Sequence, residues 1–113
     1  MIVIIAQFEF SATARDRVLD ITRYMDKNTA NEPGCVLYKH SIDVENDNRV
    51  FLSEIWTDTE ALRAHFASPH FQAFRAAVDG LGIEAKVTQF SGIETAETDS
   101  FYWLTLLRES TVH

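Results

Sequence analysis

Residues 2–10, IVIIAQFEF, are mostly apolar with a weak alternation, which predicts a central strand buried on both faces. Ile2, Ile4, Ala6, Phe8 and Phe10 share one face; Val3, Ile5, Gln7 and Glu9 share the other. The period then changes. Val18, Ile21, Thr22 and Met25 recur at intervals of three and four and predict a helix, with Ser11 or Thr13 as its cap and Asp16 near its positive end. Arg15, Asp16, Arg23, Asp26 and Lys27 fall mostly outside that stripe, and Asn31 to Gly34 ends the helix. Residues 35–44, CVLYKHSIDV, read as a second strand, and ENDN at 45–48 supplies turn-favouring residues for a hairpin.

The third strand, from Val50 to Thr57, places Leu52, Glu54 and Trp56 on one face and Phe51, Ser53 and Ile55 on the other. Thr57-Asp58-Thr59-Glu60 has the form of a capping box opening a helix. Ala61, Leu62, His65 and Phe66 follow at helical spacing, which sets His65 on or beside the apolar stripe. Ser68-Pro69 restarts the chain as N-cap and first-turn proline, and Phe71, Phe74, Val78 and Leu81 form a second inward stripe. Gly80 and Gly82 stop that helix, and residues 84–93 predict a fourth strand. The order β-α-β-β-α-β is α+β and ferredoxin-like, with helices over one sheet face only. The opposite face of the first strand is still apolar and needs cover. A second copy of the chain is the economical cover, so a homodimer is expected.

Residues 95–100 are polar and acidic, as a connector would be, whereas residues 101–107, FYWLTLL, are too apolar to remain in water. The division is therefore a domain over 1–94 and a C-terminal extension over 95–113 that packs on the partner subunit. The net charge of −7 offers no basic patch for phosphates, which argues against nucleic acid and against anionic membranes. There is no membrane-length apolar run and no signal-peptide pattern, so a cytoplasmic location is expected. A single cysteine, Cys35, permits no internal disulfide and has no nearby activating base, so it reads as small and buried.

The spacing E-x-W (Glu54, Trp56), eight residues to His65, then S-P-H-F (68–71), together with E-P-G-C at 32–35, resembles the antibiotic biosynthesis monooxygenase family. The likeness covers roughly residues 1–94. It implies a dimeric α/β barrel. It also implies a quinol monooxygenase-like activity without metal or flavin, in which a quinol or anthrone-like aromatic substrate is deprotonated and reacts with molecular oxygen. A proton-transfer isomerase and a non-catalytic ligand-binding dimer are alternatives on the same fold, and haem degradation is a further activity found among relatives.

His65 matches the family's histidine and is the candidate proton-handling residue, since imidazole titrates near neutrality; from the pattern alone it could equally be a hydrogen-bonded core histidine. Glu54 is its expected catalytic support, or else a structural partner of Arg63, Arg75 or Lys39, because a buried carboxylate needs a partner. Trp56 is the expected wall for a flat ring, with Tyr38, Phe66, Phe71 and Phe74 as further substrate-binding positions. His70, beside Pro69, is expected to be exposed. No metal site is expected from His40, His65, His70 and Glu54, because the two helix histidines stand five apart across a break. The four glycines form no dinucleotide fingerprint, so no cofactor is expected.

Overall fold

A computed structural model of the chain describes residues 1–93. Strand β1 spans Ile2–Glu9 and is followed by a 3-10 turn at Ala12–Ala14 and helix α1 at Arg15–Thr29. Strands β2 (Cys35–Asp43) and β3 (Asn46–Trp56) form a hairpin; then come α2 (Thr59–Ala67), α3 (Pro69–Val78) and β4 (Glu84–Ser91). The sheet is antiparallel throughout and ordered β2-β3-β1-β4, the ferredoxin-like arrangement expected. Its most apolar strand, β1, lies centrally because it pairs with β3 on one side and β4 on the other. The extension over 95–113 lies outside the described residues.

Local chemistry explains most boundaries. Ser68 Oγ accepts from the Phe71 N–H and caps α3 as its position suggested, whereas Ser11 Oγ accepts from the Ala14 N–H and caps the 3-10 turn, leaving α1 to start at Ala14 without a side-chain cap. At α2 the cap is Asp58 rather than Thr57: Asp58 Oδ1 accepts from the Ala61 N–H at 2.8 Å. A carboxylate is the stronger acceptor and also favours the positive helix end. The hairpin is tighter than expected. β3 begins at Asn46, and the second register shift falls between Ile42 and Asp43.

The helices cover the face that carries Ile2, Ile4, Ala6, Leu52, Glu54 and Trp56. With Met25, Tyr38 and Leu62, the apolar members make one core cluster. A second cluster unites Phe10, Ala14, Val18, Leu19 and Val50, and Phe8 packs against both. On the opposite face, register aligns Leu37 with Ile55, Ile55 with Val3 and Val3 with Phe90, an apolar row crossing all four strands. Ile5 on that face is 51 % exposed, Phe90 45 % and Leu37 41 %. Among the described residues of a single chain, the first strand is therefore buried on one face only.

Candidate functional site

Two histidine-centred arrangements lie under the helices. The first begins at the α1–β2 connection. Gly34 has φ of +81°, a left-handed conformation, and its Cα approaches α2 so closely that a Cβ there would stand 2.5 Å from Ala61 Cβ. The Thr57 N–H donates to the Gly34 carbonyl at 2.9 Å, and the Cys35 N–H donates to the Glu32 carbonyl at 3.0 Å. This closure holds Glu32 against the helices. Glu32 Oε2 accepts from His65 Nδ1 at 2.6 Å and lies 3.3 Å from His70 Nε2.

His65 is 1 % exposed. Its ring packs on Trp56, Phe71 and Tyr38 at centroid distances of 4.8, 5.2 and 5.4 Å, with Phe66 and His70 both at 5.8 Å. Burial pushes its pKa below the ordinary imidazole value, and the opposing pull of Glu32 does not reverse this. The ring is thus neutral near pH 7, with the Nδ1–H donated to Glu32. His70 is a correction to the sequence reading. Its side chain is only 14 % exposed, because the break at Ser68 turns α3 back toward the Glu32 loop. The ligand atoms of Glu32, His65 and His70 all lie within 4.8 Å of one another.

Glu54 and Trp56 share the inner face of β3, and Trp56 Nε1 donates to Glu54 Oε1 at 3.0 Å. Arg63 pairs with Glu60 and Lys39 with Asp26, so the indole, and neither of these cations, is the polar partner of Glu54. Burial raises the Glu54 pKa, and the Trp56 hydrogen bond only partly offsets this. The Tyr38 phenol, likewise buried and near Glu54, is held above its ordinary value and stays neutral. The Cys35 thiol is pushed up by burial and by the nearby carboxylates, which suits an unreactive thiol.

The second arrangement was not legible in the sequence. An apolar cavity of about 240 Å³ lies where the two core clusters meet, between the sheet, α1 and α3. Its walls include Phe8, Ile21, Val50, Phe74 and Ile83, and its ionisable side chain is His40. Of the residues singled out in the sequence for a site, Phe74 lines this cavity, whereas Trp56, Tyr38, Phe66, Phe71, Glu54 and His65 are not among its lining residues. His40 is held from behind. Its Nδ1 lies 2.7 Å from Asp26 Oδ1, and its backbone N–H donates to both Asp26 oxygens at 3.2 Å. Asp26 as acceptor fixes the tautomer with hydrogen on Nδ1 and the lone pair on Nε2. Burial lowers the His40 pKa more than Asp26 raises it, so this ring too is neutral near pH 7. Helical periodicity sets Asp26 mostly outside the buried stripe of α1. In the fold it reaches back to β2, a contact between residues 14 apart in the chain that no helical periodicity reports.

The family model for antibiotic biosynthesis monooxygenase matches residues 1–77. A solved protein of Deinococcus radiodurans that carries the same family name superposes with a TM-score of 0.79 at 22% identity, covering 88% of this chain and all of that one. Rv0793 of Mycobacterium tuberculosis gives a TM-score of 0.75 at 26% identity, covering 85% of this chain and 98% of its own. SnoaB of Streptomyces nogalater, described as a cofactor-independent oxygenase, gives 0.70 at 21% identity, covering 86% and 97%. Among curated sequences, the uncharacterized protein sll1783 of Synechocystis is 26% identical over 73 residues, 65% of this chain. The chain spans about half the length of that relative. No helix among the described residues is long and apolar enough to cross a membrane. With the family pattern matched over more than half its length and the fold shared, the chain belongs to the antibiotic biosynthesis monooxygenase family.

Proposed function

We propose that this protein is a monooxygenase that oxidises a small quinol-type aromatic with molecular oxygen, without a resident organic cofactor, in the cavity beside His40. The observation that carries this reading is one oriented, neutral imidazole at the wall of a cavity that is apolar but for Thr22, whose hydroxyl is turned to the Leu19 carbonyl. An apolar space with few fixed polar groups is the usual form of a small-molecule site. A neutral histidine held by a carboxylate is the usual form of a general base. His40 accepts the phenolic proton, and the phenolate, unscreened by water, becomes electron-rich enough to reduce oxygen. The ring carbon that forms the new C–O bond loses its hydrogen. The second oxygen atom leaves as water, taking that hydrogen and one phenolic proton by way of His40. A quinol plus oxygen thus gives a hydroxyquinone plus water, and the substrate supplies every electron. The volume, below the typical range of about 300–1,000 Å³ for ligand sites, favours one or two fused rings over a three-ring anthrone.

The sequence-based assignment of the base to His65, with Glu54 beside it, is the competing reading and is tested by the same experiment. Oxygen uptake is measured with a panel of one- and two-ring quinols, for wild type, His40→Ala and His65→Ala. Loss of general-base help costs about 10²–10⁴-fold in rate. That loss is expected in His40→Ala. A folded His40→Ala with the wild-type rate, alongside a folded and inactive His65→Ala, would return the role to His65.

The apolar row Leu37–Ile55–Val3–Phe90 supports a second copy of the chain as the cover of the open sheet face. Two like faces packed together would close the barrel implied by the family. A charged residue in that row, as in Val3→Lys, should shift the protein toward monomer in sedimentation.

A further inference from the structure

The Glu32–His65–His70 cluster lies apart from the cavity lining, and nothing in the proposed oxidation uses it. Its chemistry is that of a ligand set: two imidazole nitrogens and one carboxylate oxygen, contributed by the α1–β2 loop, α2 and α3. This donor combination suits zinc and other divalent first-row ions. Two of the three ligand-atom separations stand near what such an ion demands, and the third lies within 4.8 Å, so the His65 and His70 rings would close on the ion. Metal–nitrogen and metal–oxygen bonds of about 2.0–2.2 Å at tetrahedral angles put neighbouring ligand atoms about 3.3 Å apart. His70 Nε2 and Glu32 Oε2 are already 3.3 Å apart. His65 Nδ1 and Glu32 Oε2, now in hydrogen-bond contact at 2.6 Å, would need to separate by about 0.7 Å.

A second observation points the same way. His70 Nε2 is enclosed and has no hydrogen-bond partner among the described residues; its approach to Glu32 lacks hydrogen-bond geometry. A buried ring nitrogen left without a partner is costly, and a metal ion would satisfy it. A groove of about 360 Å³ reaches Glu32 from the surface, and Asp58 and Glu60 stand along it. Carboxylates at such a mouth raise the local concentration of cations. Asp58 is occupied as a helix cap and Glu60 pairs with Arg63, so neither competes as a ligand in the present arrangement.

We propose that Glu32, His65 and His70 form a binding site for one divalent ion of the zinc type, fastening the α1–β2 loop to both short helices. On binding, the His65 ring moves its hydrogen from Nδ1 to Nε2 and gives the Nδ1 lone pair to the metal; Glu32 supplies one negative charge. The inference is independent of the cavity chemistry, because its readout is metal binding and not turnover. The full-length chain, free of any purification tag and stripped with EDTA, is titrated with Zn²⁺ by calorimetry and with Co²⁺ by visible absorbance. Expected is one ion per chain, a Co²⁺ spectrum of low coordination number and a higher Tm with Zn²⁺ present. Glu32→Gln keeps an oxygen acceptor for His65 and should fold, as circular dichroism would verify, yet lose stoichiometric binding. His70→Ala should lose it too, while His40→Ala retains it. Absence of stoichiometric binding in wild type would leave only a hydrogen-bonded cluster and overturn the proposal. Binding that persists undiminished in folded Glu32→Gln or His70→Ala would overturn it as well.

Discussion

Replacing Gly34 by alanine tests the closure that presents Glu32 to the helices. Two penalties act together. A side chain in the left-handed region costs about 1–2 kcal/mol. The new Cβ would also fall 2.5 Å from Ala61 Cβ and 2.7 Å from Thr57 Oγ1, so the loop or α2 must move. Forced overpacking of this kind costs about 1–3 kcal/mol. The sum is about 2–5 kcal/mol. Gly80→Ala is the internal control, since Gly80 has φ of +79° but open space around it. That variant should lose only the conformational part, about 1–2 kcal/mol. Urea denaturation of both variants and wild type isolates the steric part as the difference between them. Equal destabilisation would mean that the loop is not tightly closed on α2, and the positioning of Glu32 argued above would fall with it.

Stability should decline as pH falls below 6.5. His40 and His65 both have pKa values held below 6.5 in the fold, so their stabilising neutrality is complete above 6.5 and is lost as pH drops through their folded values. Each adds a slope of at most about 1.4 kcal/mol per pH unit. Glu54 acts oppositely, because its raised pKa favours the fold below 4.5 and costs stability as pH rises through the folded value, but it is one group against two. Urea midpoints measured from pH 8 to pH 5 check the sign, and a flat profile would contradict burial of both rings. Trp56→Phe removes the donor to Glu54 Oε1 and should cost about 1–3 kcal/mol for the unpaired acceptor, read by thermal unfolding. Asp26→Asn should lower turnover with little change in KM, since it alters the His40 tautomer and not the apolar walls.

The elements were legible because their periods are local. The stripe Val18, Ile21, Thr22 and Met25 follows from a 3.6-residue repeat, and all four are buried as a result. The inner face of β3 follows from a repeat of two, which correctly grouped Glu54 with Trp56 but could not say that each is the other's partner. What escaped the sequence depends on where elements meet. Asp26 lies off the main stripe of α1 and finds His40 only because β2 passes beneath it. Glu32 looked like part of a turn, and its approach to His65 spans 33 residues and rests on the Gly34 closure. His65 and His70 stand five apart. On one continuous helix they would point well away from each other, and the break at Ser68 removes that objection.

Among the described residues β4 hydrogen-bonds to one neighbour, β1, and all eight of its residues are exposed. Within one uncovered chain, little apolar burial among the described residues resists its separation, so before a second copy covers Phe90 it belongs to the part that opens at low free-energy cost. Its beginning also forms a wall of the cavity: Ala85 lies opposite Phe8, and Ile83 just precedes the strand. Transient peeling of residues 83–87 would therefore unroof the His40 cavity without disturbing α1 or the β2–β3 hairpin. Backbone amide deuteration should report this as rapid labelling of β4 against slow labelling of the β3 side of β1. A ligand held in the cavity would slow it, so exchange at this edge strand is a label-free reporter of occupancy.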